Sequence, residues 1–195
     1  MTRYSLSTGQ IFLLIGLGIL VGYTAWLWKE TEKSNLVPTV DNRHPDFYAL
    51  NVTATETSTT GMLKDKFMSP KVVHYALNNT AFYDSPHIIS YPEDGKSPWD
   101  ITANYGRSIN GTEKIILWDN VNIHEPTGIK NNDTLITTSW LIVYPKQSYA
   151  ESNKPVTLVE PDLTANSVGV RVFFKEKRIE LLNQASGVYT QPQTN

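Results

Sequence analysis

The residues best able to hold a metal or move a proton near neutrality are four histidines, His44, His74, His87 and His124. No two stand at a metal-ligand spacing, and there is no cysteine to complete a thiolate set. Each reads as a surface or turn residue. Carboxylates for acid–base chemistry would have to converge from Asp100, Asp119 and Glu160, and nothing in their spacing gathers them. No Gly-x-Ser-x-Gly elbow and no phosphate-cradling glycine loop occurs. The run Lys175-Glu176-Lys177-Arg178 reads most simply as a solvated turn between two strands, with contact to a lipid or a phosphate as the second reading. Asn-x-Thr sequons at Asn51, Asn78, Asn110 and Asn132 would matter only in a eukaryotic source. The sequence therefore predicts no catalytic residue, no metal and no cofactor.

Composition narrows the partners. Lys and Arg number 17 against 19 Asp and Glu, a formal charge of −2. Binding a phosphate backbone needs a basic face, so nucleic acid is not expected. Without cysteine there are no disulfides, and a chain of 195 residues must build one folded domain on its apolar core alone.

What positions such a domain is legible at the N-terminus. Residues 9–28, "GQIFLLIGLGILVGYTAWLW", carry no charge over 20 positions, enough to cross a hydrocarbon layer of about 30 Å as a helix. The run ends in Tyr23, Trp26 and Trp28, which suit an interfacial belt and leave no small-residue cleavage site. The expectation is an uncleaved single span with residues 1–8 cytoplasmic, the rest translocated, and residues 29–43 as a linker around Pro38. Gly18 and Gly22 form a Gly-xxx-Gly pair that would let another membrane helix approach closely, although glycine is common in such helices anyway.

Beyond the linker, strand signals recur and helix signals are scarce. "DFYALNVTATETST", "KVVHYAL", "HIISY", "WDITANY", "EKIILWDNVNI", "TLITTSWLIVY", "PVTLV", "VGVRVFF" and "RIELL" are rich in β-branched and aromatic residues. Asp94-Gly95, Asn110-Gly111, Asn131-Asn132-Asp133 and Ser186-Gly187 are expected to be the turns between them, and Asn110-Gly111 is the strongest hairpin signal. This pattern predicts an all-β meander closing as a sandwich, jelly roll or barrel. In residues 134–144, strict alternation puts Leu135, Thr137, Ser139, Leu141 and Val143 on one face and Ile136, Thr138, Trp140, Ile142 and Tyr144 on the other. Neither face is plainly polar, so both are expected to be covered or to line an apolar interior.

In their order, these residues resemble a family. His44-Pro45-Asp46-Phe47, Pro86, Tyr91, Asp94-Gly95, Pro98-Trp99-Asp100-Ile101-Thr102-Ala103 and Gly106 are similar to the LptC family. So are Leu117, Val121-Asn122-Ile123, Ile136-Thr137-Thr138, Leu141, Val143, Pro145, Pro155-Val156-Thr157-Leu158 and Gly169, over residues 44–190 behind a single anchor. Two departures stand out. Asp119 replaces the glycine that often fills the bulge before Val121, and Ser69-Pro70 interrupts a strand that usually runs on, which fits an edge or a bulge.

The resemblance implies a non-enzymatic lipopolysaccharide carrier of the Gram-negative inner membrane. Its single slid-open antiparallel β-jelly roll (OstA-like), residues 44–190 with a tail at 191–195, would lie in the periplasm. The interior would hold lipid A acyl chains at Tyr83, Leu141, Val143, Ile179 and Tyr189. Lipopolysaccharide would arrive from the inner-membrane complex of LptB, LptF and LptG. It would leave for LptA over a C-terminal edge carrying Leu181, Leu182, Val188 and Tyr189. Two rival classes predict different interiors: an anchored structural or adhesion β-domain would have a dry filled core, and an anchored hydrolase would have a convergent acid, base or nucleophile cluster.

Overall fold

A computed structural model of the chain describes residues 23, 24, 26, 44–92, 97–126 and 133–190. The chain divides into two compact units, Met1–Val40 and Asp41–Asn195. Of the first, Tyr23, Thr24 and Trp26 are described and are helical. Among the described residues no helix is long and apolar enough to cross a membrane. The rest of the expected span, with Gly18 and Gly22, lies outside the described residues, as do the expected turns at Asp94-Gly95 and Asn131-Asn132.

The second unit is one antiparallel sheet. Its strands are β1 (Phe47–Thr57), β2 (Leu63–Tyr75), β3 (Thr80–Asp84), β4 (His87–Ser90), β5 (Trp99–Thr102) and β6 (Tyr105–Ile109). They continue as β7 (Lys114–Glu125), β8 (Thr134–Tyr144), β9 (Tyr149–Glu160), β10 (Leu163–Phe173) and β11 (Arg178–Tyr189). β3 and β4 pair end to end along β2, and β6 and β5 pair end to end along β7. With those two pairs counted as broken single strands, every strand lies beside its neighbour in sequence. The hairpin at Asn110-Gly111 forms, with both residues at positive φ as their side chains allow (51° and 72°).

A line of irregularities crosses the whole sheet near the middle of each strand. Asn51 in β1, Ser85 between β3 and β4, Asp119 and Asn120 in β7, Gly169 in β10 and Gln184 in β11 all have left-handed φ. Register shifts mark the same line between Trp118 and Val121, Thr138 and Ile142, and Asn166 and Val168. Bulges bend strands, and a row of them creases a sheet. Each strand thus gives one half to a first layer (47–50, 71–75, 80–84, 105–109, 114–118, 140–144, 149–152, 170–173 and 178–183) and the other half to a second.

The crease explains both departures in the sequence. Asp119 takes the bulge at φ 64°, and its carboxylate accepts from Asn104 Nδ2 at 2.9 Å. Pro70 lies in β2, which is paired on both sides, where Leu50 pairs Lys71 and Val52 pairs Ser69, and where β3 gives way to β4. No ladder donor is missed there, and the Ser69 hydroxyl reaches the carbonyls of Asp84 (2.7 Å) and Lys71 (2.8 Å). Ser152 and Ser167 are likewise buried along the crease, Ser167 donating to the Gly169 carbonyl at 2.9 Å.

Two expectations are corrected here. Faces do not alternate strictly through β8: Ile136 is buried with Leu141 and Val143, because the register shift at the crease reverses which parity faces inward. Ser186-Gly187 is not a turn but lies within β11, where Ala165 pairs Gly187 and Asn166 pairs Ser186. A Cβ on Gly187 would stand 3.3 Å from Ala165 Cβ and from Leu163 Cδ1, so glycine serves close approach rather than reversal.

The inner faces make the core. In the second layer one row runs Phe67, Ile88, Ile101, Ile123, Ile136, Leu158 and Ala165 across seven strands. In the first layer Val72, Tyr83, Gly106, Leu117 and Leu141 form a row. Opposite the crease, Trp99 packs on Phe174 (ring centroids 5.6 Å apart) and Lys177 pairs with Glu125, holding the two layers together.

Candidate functional site: an apolar cavity between the layers

Packing is uneven along this interior. Leu117, Val121, Ile123, Ile136, Leu141, Ala150, Val170 and Val172 are wholly excluded from solvent. Toward β1, β2 and β3 the inner positions shrink to Ala49, Ala54 and Ala81, and a cavity of about 480 Å³ opens there. Its walls come from both layers: Val72, Ala81, Tyr83, Ile115, Val143 and Phe174 from the first, Phe67, Ile88 and Ile101 from the second. That volume lies in the range of small-molecule sites, and the lining is chiefly apolar. Glu56, Asp65, Lys66, Ser90 and Ser148 also line it, and Lys64 nearby bonds Glu56 at 2.6 Å.

Tyr83 brings the one deep polar group among these walls. Its ring packs on Phe67 with centroids 4.8 Å apart. Burial raises the phenol's pKa, and a hydrogen bond with Ser108 partly offsets this. A neutral hydroxyl satisfied by Ser108 leaves the wall able to face hydrocarbon.

At the N-terminal rim, Phe47 stacks on His74 with centroids 4.8 Å apart and planes 19° apart. His74 Nδ1 lies 2.7 Å from Asp46 Oδ1 and Nε2 lies 3.1 Å from Asn79 Oδ1. Of the other histidines His44 is exposed, His124 half-buried and His87 half-buried with its Nε2 shielded from solvent. His87 Nε2 is 2.8 Å from Asp100 Oδ1 without hydrogen-bond alignment, and His124 Nε2 is 3.6 Å from Asp133. Among the described residues no group of three His, Asp or Glu could hold a metal ion.

The residues singled out from sequence fall in three places. Tyr83 and Val143 line the cavity. Leu141 is buried in the packed middle. Ile179 and Leu181 are half-buried against the C-terminal end of the core, while Tyr189, paired with Leu163, is 66% exposed. Leu182 and Val188 are exposed on the same strand, which among the described residues pairs with β10 alone. Sequence reasoning missed Phe47, Phe67, Ala49, Ala54 and Ala81. The available signal was alanine, a poor strand former, recurring in strands otherwise rich in β-branched residues.

A family model, "Lipopolysaccharide-assembly, LptC-related", matches residues 13–190. The chain belongs to the LptC family. No curated protein matches it in sequence. Among solved structures it is similar to LptH of Pseudomonas aeruginosa, described as the LptA-homologous periplasmic component of the conserved lipopolysaccharide transport device. The identity is 10% and the TM-score 0.46, over 78% of this chain and 99% of that one. Membership of the family assigns the chain to lipopolysaccharide transport.

Proposed function

We propose that the protein is a non-enzymatic, inner-membrane-anchored carrier that accepts the acyl chains of lipopolysaccharide from the LptB, LptF and LptG complex and passes them to LptA. The observation that carries this reading is the cavity of about 480 Å³ between two apolar inner faces, at the end of the sheet where, among the described residues, β1 pairs with β2 alone. Each methylene moved from water into such a site gains roughly 0.8 kcal/mol, so a few chain segments suffice for firm yet reversible holding. The opposite edge, β11, presents unpaired backbone groups together with Leu182, Val188 and Tyr189, and is suited to take a strand from LptA. Residues 9–28 would keep the carrier at the membrane.

Filling the cavity tests the proposal. Ala81→Trp should lower lipopolysaccharide binding at least tenfold in a fluorescent-lipopolysaccharide titration, with the far-ultraviolet spectrum unchanged. Thr157→Trp, on the outside of the second layer, should bind as the parent does. Equal binding by both variants would place the lipid elsewhere.

A further inference from the structure

The two outer faces of the folded sheet differ. On the second layer one outward row reads His87, Thr102, Asn122, Thr137, Thr157, Asn166 and Ser186, all polar, and the next reads Lys66, Ile89, Asp100, His124, Leu135, Val159, Thr164 and Val188, a mixture of charged and aliphatic residues without an aromatic ring other than the imidazole. The first layer instead gathers aromatic rings. One outward row carries Tyr105, Trp118 and Trp140, neighbouring ring centroids 6.1 Å apart. The next carries Phe82, Arg107, Ile116, which its neighbours bury, and the half-buried Ile142, and a third ends in Tyr144, Tyr149, Phe173 and Arg178. Tyr105 is 47% exposed and Phe82 40%.

Charge on this face runs against that of the chain. Its rows hold Lys71, Arg107, Lys114, Arg171 and Arg178 against Asp84, Glu151 and Glu180, a surplus of cations in a chain whose formal charge is −2. Two of the three anions are also occupied. Glu151 accepts from Tyr149 (2.7 Å) and Tyr144 (3.4 Å), and Glu180 pairs with Arg178. Arg107 Nε, by contrast, is buried and has no hydrogen-bond partner among the described residues. The guanidinium borders a surface groove of about 830 Å³ whose walls include Tyr75, Leu77, Phe82 and Ile109.

We infer that this aromatic face docks on a bilayer surface bearing anionic headgroups, with a lipid phosphate taken at Arg107. Trp and Tyr side chains fringed by Lys and Arg are the composition that settles at a membrane–water interface, and each cation near an anionic surface adds attraction. The reading shares one premise with the proposed function, that residues 9–28 hold the chain at a membrane. The linker at 29–43 then reaches at most about 50 Å, so the face stays within range of that surface.

The test uses the full chain in vesicles and exploits the absence of cysteine. Single substitutions Tyr105→Cys and Phe82→Cys on the aromatic face, and Thr164→Cys on the other, are spin-labelled, and each label's collision rates with oxygen and with a water-soluble nickel chelate are compared. In vesicles containing phosphatidylglycerol, the labels at 105 and 82 should favour oxygen, while that at 164 stays water-like. In pure phosphatidylcholine the difference should shrink severalfold, and Arg107→Gln with Lys114→Gln should shrink it likewise. Water-like labels at both 105 and 82 in every vesicle would overturn the inference. A label at 105 that is immobilised without gaining oxygen contact would point to a protein surface, such as a second copy of the chain, and would overturn it too. Flotation of the same samples reports membrane attachment separately, so failure of the anchor and failure of the face are distinguishable.

Discussion

His74 ties the first strand to the cavity rim, and its surroundings fix a pH dependence. Burial opposes a charged ring, but the hydrogen bonds to Asn79 and Asp46 and the Asp46 charge outweigh it, so its pKa lies above the usual 6.5. The stabilisation from a raised pKa is fully present below the unfolded value and is lost as pH rises through the folded one. Urea stability should therefore fall as pH climbs from about 6.5 through the His74 midpoint, and nuclear magnetic resonance titration should place that midpoint above 6.5. Asp46→Asn should lower the midpoint and flatten the stability profile. An unchanged midpoint in Asp46→Asn would remove the carboxylate as a cause. Tyr149 makes a second, alkaline case. Burial and the bond to Glu151 push its phenol up to about 12. Its contribution is present below pH 10 and should disappear as pH rises through about 12, which Tyr149→Phe would show by losing that alkaline decline. None of this was legible from spacing, because Asp46, His74 and Asn79 meet only through the pairing of β1 with β2 and the turn that follows.

The crease is the element that folds a flat meander into two facing layers. Left-handed φ at Asp119 (64°) and Asn120 (53°) suits the side chains found there and penalises β-branched ones. Asp119→Ile should cost about 1–2 kcal/mol in chemical denaturation from the backbone alone, plus the lost Asn104 hydrogen bond. Asp119→Gly should lose only the latter and remain the more stable of the two. The reverse order would mean that the bulge is not what shapes β7. Sequence alone exposed the strands well, since β-branched runs are local signals, and it marked Asp119 and Ser69-Pro70 as irregular. It does not show that irregularities in nine neighbouring segments line up, so strict alternation separates Ile136 from Leu141 and Val143, and Ser186-Gly187 reads as a turn. That second correction changes the meaning of a C-terminal truncation. Ending the chain at Asn183 removes half of β11, residues 184–189, and uncovers the edge of β10 at Leu163–Asn166. Because the core cluster ends at Phe174, the shortened chain should stay folded by circular dichroism and lose capture of LptA in a pull-down. Undiminished capture by the folded truncation would shift the docking site to another surface.

At the scale of the whole molecule, an interior that is open at one end, packed in the middle and uncovered at the other suits directional passage. The cavity lies beside β1, the wholly buried Leu117, Leu141 and Val170 lie between, and Ile179, Leu181 and Tyr189 border the C-terminal end. On the proposed function, acyl chains moving along this line would have to part the two layers, which Trp99 against Phe174 and Lys177 with Glu125 hold together. The central claim, that the acyl chains enter between the layers at the alanine-lined end, is tested most directly by where lipid touches the protein. A photo-reactive amino acid placed at Ala81, inside the cavity, and separately at Thr157, outside the second layer, should give a lipopolysaccharide adduct on illumination from position 81 and none from 157. Adducts of equal yield at both, or none at 81 in a protein that still binds lipopolysaccharide, would contradict the account.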